Sequence, residues 1–472
     1  MMKVPAWMAA GAVCGLTAIA SAETATEAQL RAKVDALEKR LSEVENKGQE
    51  NWLNERRAEE VKALIQEVLA DADTRASLMQ DGMTAGWNKK FFLASADGTF
   101  LLNIGGRIQA RYIYNYRETG VINLNDDADF TDSGESNNDD QEGGFSIRRM
   151  KPAFSGFIGG PKFEYNVVLA ADRNTTAVGL EEARIGYAIT DQIKIEGGRF
   201  KAPFLREELT SSGRQLTVER SYMNEAFTIG FTEGVMVTYA NELFKIAAMF
   251  SDGRNQGEIS NAANDFQNDT NDAAFTARVD VRLAGDWKQM EETSAWAGEQ
   301  MGIFLGGAIH YEMAETGSAT GANSNDTNLY WTFDASVEVN GLGIYAAVAG
   351  RSFDDEAATG DFDQLGVVVQ ISFFVIADKL EPFFRAEWLD TDGFSPFAVG
   401  STAINAAYDQ EVVMLTAGVN YYFRKHDAKF TLDVVFTPTD AVPVAQGGLG
   451  ILQDDDDAEG QIVVRTQFQL QF

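Results

Sequence analysis

Basic side chains on the polar faces of short alternating segments are the residues of this sequence with the most distinctive chemistry. Apolar or aromatic residues occupy one face of these segments, and arginine or lysine recurs on the other. A guanidinium group can bind two oxygens of a carboxylate or phosphate at once, whereas lysine offers a compact positive charge. A series of such side chains attracts anions and replaces part of their hydration. The residues assigned to this series are Arg107, Arg111, Arg149, Lys151, Arg184, Arg199 and Lys201.

Three further arginines, Arg206, Arg214 and Arg220, lie in the stretch 205–232, which has no clean period of 2 or 3.6. The stretch is too long for a hairpin loop and too rich in large apolar residues for a solvated one. We therefore expect it to fold into the interior of a wide β-barrel and to narrow it, with the three arginines adding to the anion pathway.

The same basic residues have a second interpretation, in which they pair with carboxylates across the barrel interior. Paired charges of both signs brace a barrel and set a transverse field, so the sequence leaves selectivity open. The candidate partners are Glu164, Glu182, Glu196, Glu207, Glu208, Glu219, Asp280, Glu387 and Asp433.

Catalytic and metal-binding patterns are weak in this chain. His310 and His426 lie far apart and neither has a Ser or carboxylate motif around it, and Cys14 is the one cysteine. The acidic clusters at 126–140 and 454–457 do not fit the spaced EF-hand loop, so we expect solvated loops there. We therefore expect no enzyme activity, no metal and no cofactor. The net charge of −32 argues against nucleic acid as a partner.

The elements that position these residues are sixteen predicted β-strands between Phe100 and Phe472. Tight turns alternate with long polar loops, and the connection 286–300 is the one longer exception among the tight turns. An even strand count with short turns at one rim and long loops at the other is typical of outer-membrane barrels. The predicted fold class is all-β, a 16-stranded antiparallel transmembrane β-barrel over residues 87–472, wide enough to hold an aqueous channel.

Two local features refine this barrel prediction. Gln467, Gln469 and Gln471 alternate with apolar residues up to the terminal Phe472, which resembles the signal read by the barrel insertion machinery. Within the strand that begins at Ile193, the pair Gly197–Gly198 predicts a β-bulge that keeps Glu196, Arg199 and Lys201 on one face.

The N-terminal part of the chain lacks the alternating pattern of the predicted strands. Residues 1–22 have one lysine, a short apolar run and a small-residue cleavage site, which predicts a signal peptide. Residues 23–86 predict a helical segment and linker, with a coiled-coil seam of Leu30, Val34, Leu37, Leu41 and Val44. Two heptads are marginal in water, so either an oligomeric barrel holds these helices together or they form a monomeric hairpin or spacer.

The chain resembles the phosphate-selective porin O and P family between residues 180 and 234. The segments that carry the resemblance are EEARIGYAI, GGRFKAPF, EELTSS, VERS and GFTEGV, together with SIRRMKPAFSG at residue 146. The resemblance implies a homotrimeric outer-membrane porin with a periplasmic N-terminus, in contact with membrane lipid and lipopolysaccharide. It implies that basic residues line the lumen and that the third long loop forms the constriction, with Arg199, Lys201, Arg214 and Arg220 nearest to it.

The function expected from these features is passive diffusion of small anions such as phosphate through an aqueous outer-membrane pore narrowed by the loop 205–232. The alternative is a structural envelope tether that acts through the N-terminal coiled coil and carries a general, weakly selective pore. No peptidoglycan-binding motif is visible in that segment.

Overall fold

The computed structural model describes residues 35–39, 82–117, 141–171, 178–254, 271–314, 327–354, 362–391, 411–438, 448–451 and 460–472. Residues 35–39 are helical. The predicted signal peptide and the rest of the predicted coiled coil lie outside the described residues, and the tether hypothesis depends on them. The chain divides into the units Met1–Asp81 and Gly82–Phe472. In the part of the chain that is described, no helix is long and apolar enough to cross a membrane.

Sixteen antiparallel strands of the described chain close into a β-barrel, as the sequence predicts. Each strand pairs with the next along the chain, and the last pairs with the first from Gln461↔Arg117 to Gln471↔Arg107. The strands are β3 (Phe100–Arg117), β4 (Gln141–Ile158), β5 (Phe163–Ala171), β6 (Val178–Ala188), β7 (Ile193–Lys201), β8 (Phe231–Ala240), β9 (Phe244–Ser251), β10 (Asn271–Ala284), β11 (Gly302–Ala314), β12 (Thr327–Val339), β13 (Leu342–Asp354), β14 (Phe362–Phe373), β15 (Leu380–Asp390), β16 (Glu411–Arg424), β17 (Ala428–Thr437) and β18 (Gln461–Gln471).

A short hairpin precedes the barrel and extends its closing edge. It consists of β1 (Met83–Asn88) and β2 (Lys90–Ser95), and β2 pairs with the start of β3 from Phe91↔Ile104 to Ala94↔Leu101. Residues 83–86, which the sequence assigned to a linker, belong to this hairpin. Because β18 pairs with β3 only as far as Arg107, the hairpin satisfies the edge of β3 beyond the end of β18.

The chain terminus completes the closing edge between β18 and β3. The backbone N–H of Phe472 donates to the carbonyl of Gly106, and the N–H of Gly106 donates back to the Phe472 oxygen at 2.8 Å. A Cβ at Gly105 would lie 2.7 Å from that oxygen, which explains a glycine at this close approach.

Alternation along the strands places apolar residues outside and polar residues inside. On β10, Phe275, Val279 and Leu283 are exposed on the outer face, while Arg278 and Asp280 are buried inside. Successive side chains of a strand point to opposite faces, so the outer surface suits lipid and the inner surface suits water.

Register shifts place the β-bulges at positions that differ from the predicted one. The pairings of β7 with β6 and β8 run without a shift through Gly197 and Gly198, so the bulge predicted there is absent. Gly198 instead adopts a φ of 126°, which only glycine tolerates well. Shifts occur between Gln109 and Ala110 in the β3–β4 ladder and between Val168 and Leu169 in the β5–β6 ladder.

Candidate functional site: the barrel lumen

The loop that connects β7 and β8, hereafter the inner loop (residues 205–232), lies inside the barrel, as the sequence predicts. It contains the short helices α1 (Arg206–Leu209) and α2 (Tyr222–Phe227). Leu205, Leu216, Val218, Phe227 and Ile229 are each at most 2% exposed. Burial of these side chains against the inner wall offsets the cost of ordering a long loop.

Polar contacts within the inner loop fix its shape. The Ser221 hydroxyl caps α2 by accepting from the Asn224 N–H at 2.9 Å, and the Glu207 carboxylate accepts from the Ser221 N–H at 2.8 Å. Arg220 donates to the backbone carbonyls of Glu207, Glu208 and Thr210. Arg220 is only 7% exposed, so it braces the fold of the loop and does not project into open lumen as the sequence suggested.

Inward-facing side chains of six strands hold the inner loop against the wall. They donate to backbone carbonyls of the loop and of the residue that precedes it, at donor–acceptor distances of 2.5–3.0 Å. The donors are Gln109, Arg278, Arg385, Asn420, Lys429 and Gln469, and the acceptors are the carbonyls of Ser212, Phe204, Glu219, Leu216, Gln215 and Gly213, in that order. The loop is thereby fixed to β3, β10 and β15–β18.

Glu219 of the inner loop is the acidic centre of a basic cluster on β3 and β4. Its carboxylate accepts from Arg111 at 2.7 Å, from Arg148 at 2.7 Å and from Arg149 at 2.9 Å. Burial alone would raise the pKa of Glu219, but the positive charges of Arg148, Arg149 and Arg111 hold that pKa well below its ordinary value. Glu219 therefore stays ionised, and three arginines share one carboxylate.

Sequence reasoning assigned Arg149 to the lumen and missed Arg148. The register shift in the β3–β4 ladder skips Arg148, so two consecutive arginines of β4 reach the same carboxylate. The adjacent pair Arg148–Arg149 was the available signal, but strict alternation assigns its two members to opposite faces. The shift in the β5–β6 ladder likewise skips Glu181, which pairs with Lys151.

The tip of the inner loop reaches toward the rim that carries the short turns. Arg107 donates to the hydroxyls of Ser211 and Ser212, and Gln471, next to the chain end, donates to the Gly213 carbonyl at 3.2 Å.

Arg206 donates to the Ser336 hydroxyl at 2.5 Å. Its guanidinium also stacks on the rings of Phe304 and Tyr345 at 5.7 and 5.6 Å. Arg214 pairs with Glu291.

The remaining predicted site residues form ion pairs on β4–β8 and at the end of β7. Arg184 pairs with Glu182 at 2.9 Å and with Glu196 at 3.2 Å, Arg199 pairs with Glu233 at 2.8 Å, and Lys201 pairs with Glu208 at 2.7 Å. Lys194 bridges Glu164 and Glu196. The ion-pair interpretation is thus realised on this side of the barrel.

Exposure separates two sides of the lumen. On β5–β8 the side chains of Arg184, Lys194 and Glu233 are 36%, 32% and 37% exposed. On β10, β15 and β18 the side chains of Arg278, Arg385 and Arg465 are 1–3% exposed. A cavity of about 380 Å³ opens beside the exposed group, lined by Asn103, Glu164, Asn166, Arg184, Lys194 and Glu196. Water therefore reaches the charges of β5–β8, where the inner loop does not cover the wall.

Two other carboxyl groups of the inner loop differ in their pKa values. Burial opposes ionisation of Glu208, yet Arg220 and Lys201 lower its pKa to about 2. Burial and the charge of Glu208 raise the pKa of Glu225 to about 7, because the nearby Arg220 only partly compensates. The charge of the Glu225 carboxyl therefore changes near neutral pH. Within the described residues, no group of three or more His, Cys, Asp and Glu side chains could hold a metal ion.

Comparison with known proteins identifies a family model and several solved structures. Residues 121–472 match the family model described as phosphate-selective porin O and P. The anion-selective porin from Comamonas acidovorans is 13% identical, with a TM-score of 0.50 over 79% of this chain and 99% of that one. At such identity the likeness concerns the fold alone.

Two further solved structures are similar to this chain, with lower TM-scores. The outer membrane channel DcaP of Acinetobacter baumannii is 12% identical, with a TM-score of 0.49 over 82% of this chain and all of that one. The trimer form of OmpT from Vibrio cholerae is 12% identical, with a TM-score of 0.47 over 78% of this chain and 98% of that one. No curated protein sequence matches the chain.

Proposed function

This chain belongs to the phosphate-selective porin O and P family, and we propose that it conducts small anions, phosphate among them, by passive diffusion. The family and the closed 16-stranded barrel are those of an outer-membrane porin channel. The proposed preference for anions rests on the charges of the lumen.

The observation that supports anion preference is the excess of positive charge where the inner loop meets β3 and β4. Within the part of the chain that the structure describes, five basic side chains meet two carboxylates there, and three of the arginines share the single carboxylate of Glu219. The basic residues are Arg107, Arg111, Arg148, Arg149 and Lys151, and the carboxylates are Glu181 and Glu219. A net positive wall in a confined space raises the local concentration of anions.

The proposed solute path runs between the inner loop and the wall of β4–β8. The loop is bonded directly to β3, β10 and β15–β18, whereas the side of β5–β8 retains partly exposed charges and a cavity. Arg184, Arg199 and Lys201 would border the path together with their carboxylate partners. Paired charges of both signs there would moderate the anion preference set by β3 and β4.

A double variant tests the role of the basic wall. Replacing Arg148 and Lys151 by Gln should lower the anion-to-cation permeability ratio several-fold, because two positive charges leave the proposed path. The ratio comes from the reversal potential in a planar bilayer under a salt gradient. The matched control is Lys89→Gln with Lys162→Gln, which removes two exposed charges at the short turns. An unchanged ratio in the Arg148/Lys151 variant would contradict the proposed role of this wall.

The assembly proposed for this porin is a homotrimer with residues 23–86 in the periplasm and with lipid and lipopolysaccharide around the barrel. The support is the family membership and the heptad pattern, which needs partner helices. Light scattering and native gels in mild detergent measure the assembly, and a monomer in both would exclude the trimer.

A further inference from the structure

The connection between β10 and β11 is the exception among the short turns, and it also turns inward. It contains a 3-10 helix at Gln289–Glu291. Gln289, Ser294, Ala295 and Trp296 are buried, with Ser294 fully inaccessible to solvent. Because β10 and β11 are joined at the rim opposite the inner loop, this segment of residues 286–300, hereafter the rim strap, enters the lumen from the other end.

The rim strap is anchored to the inner wall across several strands. The Ser294 hydroxyl donates to Glu381 of β15 at 3.1 Å, and Trp296 packs against Phe374 and Tyr422 at ring distances of 5.1 and 4.8 Å. A Cβ at Gly343 would lie 2.2 Å from the Thr293 carbonyl, so β13 admits the strap only where it carries a glycine.

His426 adds a polar anchor from the β16–β17 turn. Its ring bonds the Glu292 carboxylate at 2.5 Å and lies edge-on to Trp296 at 5.3 Å. The contacts of Ser294, Trp296 and Glu292 thus fix the strap to β15, to β16 and to the β16–β17 turn. The strap is thus an ordered part of the lumen and not a loose turn.

The rim strap and the inner loop meet inside the barrel. Arg206 of the inner loop donates to the Met290 carbonyl at 3.2 Å, and Arg214 pairs with Glu291. A cavity of about 380 Å³ lies between the two segments, and Lys245 and Asp280 of the wall complete its lining. The Arg214 and Glu291 side chains are 39% and 55% exposed, so this ion pair faces water.

We propose that the rim strap is a second constriction element and that Glu291 is a specificity-determining residue that offsets the charge of Arg214. The inference rests on the proposed function only in that the barrel conducts ions. An ion that enters the cavity between the two segments would meet both charges of this exposed ion pair in a confined volume. Glu291 therefore sets how much of the positive charge of Arg214 an anion encounters.

Charge-neutralising variants test this role. Glu291→Gln should raise the anion-to-cation permeability ratio by roughly two- to threefold, the effect of one unit charge several ångströms from an ion in water. Arg214→Gln should shift the ratio in the opposite direction, and the double variant should return it close to the wild-type value. The matched control is Glu242→Gln, which removes an exposed carboxylate from another short turn.

The outcomes separate this inference from the proposed function. The wild-type ratio alone reports whether the pore prefers anions, whereas the inference depends on the shift, whichever ion the wild type prefers. Heat-modifiable migration on SDS gels confirms that each variant forms a barrel. If Glu291→Gln shifts the ratio no more than Glu242→Gln, Glu291 does not determine specificity. If Glu291→Gln and Arg214→Gln shift the ratio in the same direction and the double variant shows the sum of the two shifts, Glu291 does not act by offsetting the charge of Arg214.

Discussion

At the scale of single residues, the lumen is defined by how many cations share each carboxylate. Glu219 pairs with three arginines, while Arg184 of β6 pairs with two carboxylates, Glu182 and Glu196, the second of which it shares with Lys194. The sequence supplied the residue types and most of the inward-facing positions. The number of cations that share each carboxylate could not be read from the sequence. A bulge that adds Arg148 or Glu181 to the lumen depends on strand pairing and not on the local pattern.

The carboxyl of Glu225 makes a pH dependence testable. Its pKa is raised to about 7 by burial and by Glu208. Below that pH the carboxyl is protonated and neutral, and above it carries a negative charge close to Arg148 and Arg220. The anion-to-cation permeability ratio should therefore rise as the pH falls from about 8 to about 6. Reversal potentials at both pH values check this, and Glu225→Gln should flatten the response. If the Glu225→Gln variant keeps the wild-type pH response, a group other than Glu225 is responsible for that response.

At the scale of elements, the inner loop and the barrel strands were predictable for different reasons. Alternation and turn spacing identified the strands because the outer face meets lipid and the inner face meets water. The apolar content of 205–232 predicted burial, yet its attachment to six strands depends on hydrogen bonds to backbone carbonyls, which carry no residue signature. The hairpin β1–β2 was missed because each of its strands has only 6 residues, which is too few to show a clear alternation.

Shortening the inner loop tests its role as the constriction. Replacing residues 211–218 by two glycines removes the tip that bonds Arg107, Gln469 and Gln471, while the capped helix α2 remains. Single-channel conductance should increase several-fold, because the lumen of a 16-stranded barrel is wide without such a loop. A folded, heat-modifiable variant with wild-type conductance would show that the tip does not limit ion flow.

The last strand makes a separate prediction about assembly. Phe472→Ser leaves the lumen intact, since Phe472 is half exposed on the outer face and its backbone bonds to Gly106 use no side-chain atom. The variant should accumulate as unfolded protein in the periplasm, and the remaining inserted barrels should conduct normally. Cell fractionation with heat-modifiability gels measures this, and normal amounts of outer-membrane barrel would refute the role of the terminal aromatic residue.

At the scale of the whole molecule, segments enter a wide barrel from both rims, and partly exposed charges lie beside a cavity on the side of β5–β8. The 16-stranded architecture followed from the sequence because it depends on repeated local patterns. The meeting of the rim strap with the inner loop did not, because 286–300 carries only an unusual length as its signal. The contact of Arg214 with Glu291 joins segments 77 positions apart in the chain.

The proposed anion preference of this porin can be measured as the reversal potential of the wild-type protein. The purified protein is placed in a planar bilayer that separates two concentrations of potassium chloride. We expect a reversal potential with the sign of chloride permeation, and we expect the chloride conductance to fall when phosphate is added. A reversal potential with the sign of potassium permeation would show that the porin does not prefer anions and that the arginines around Glu219 do not govern which ions pass.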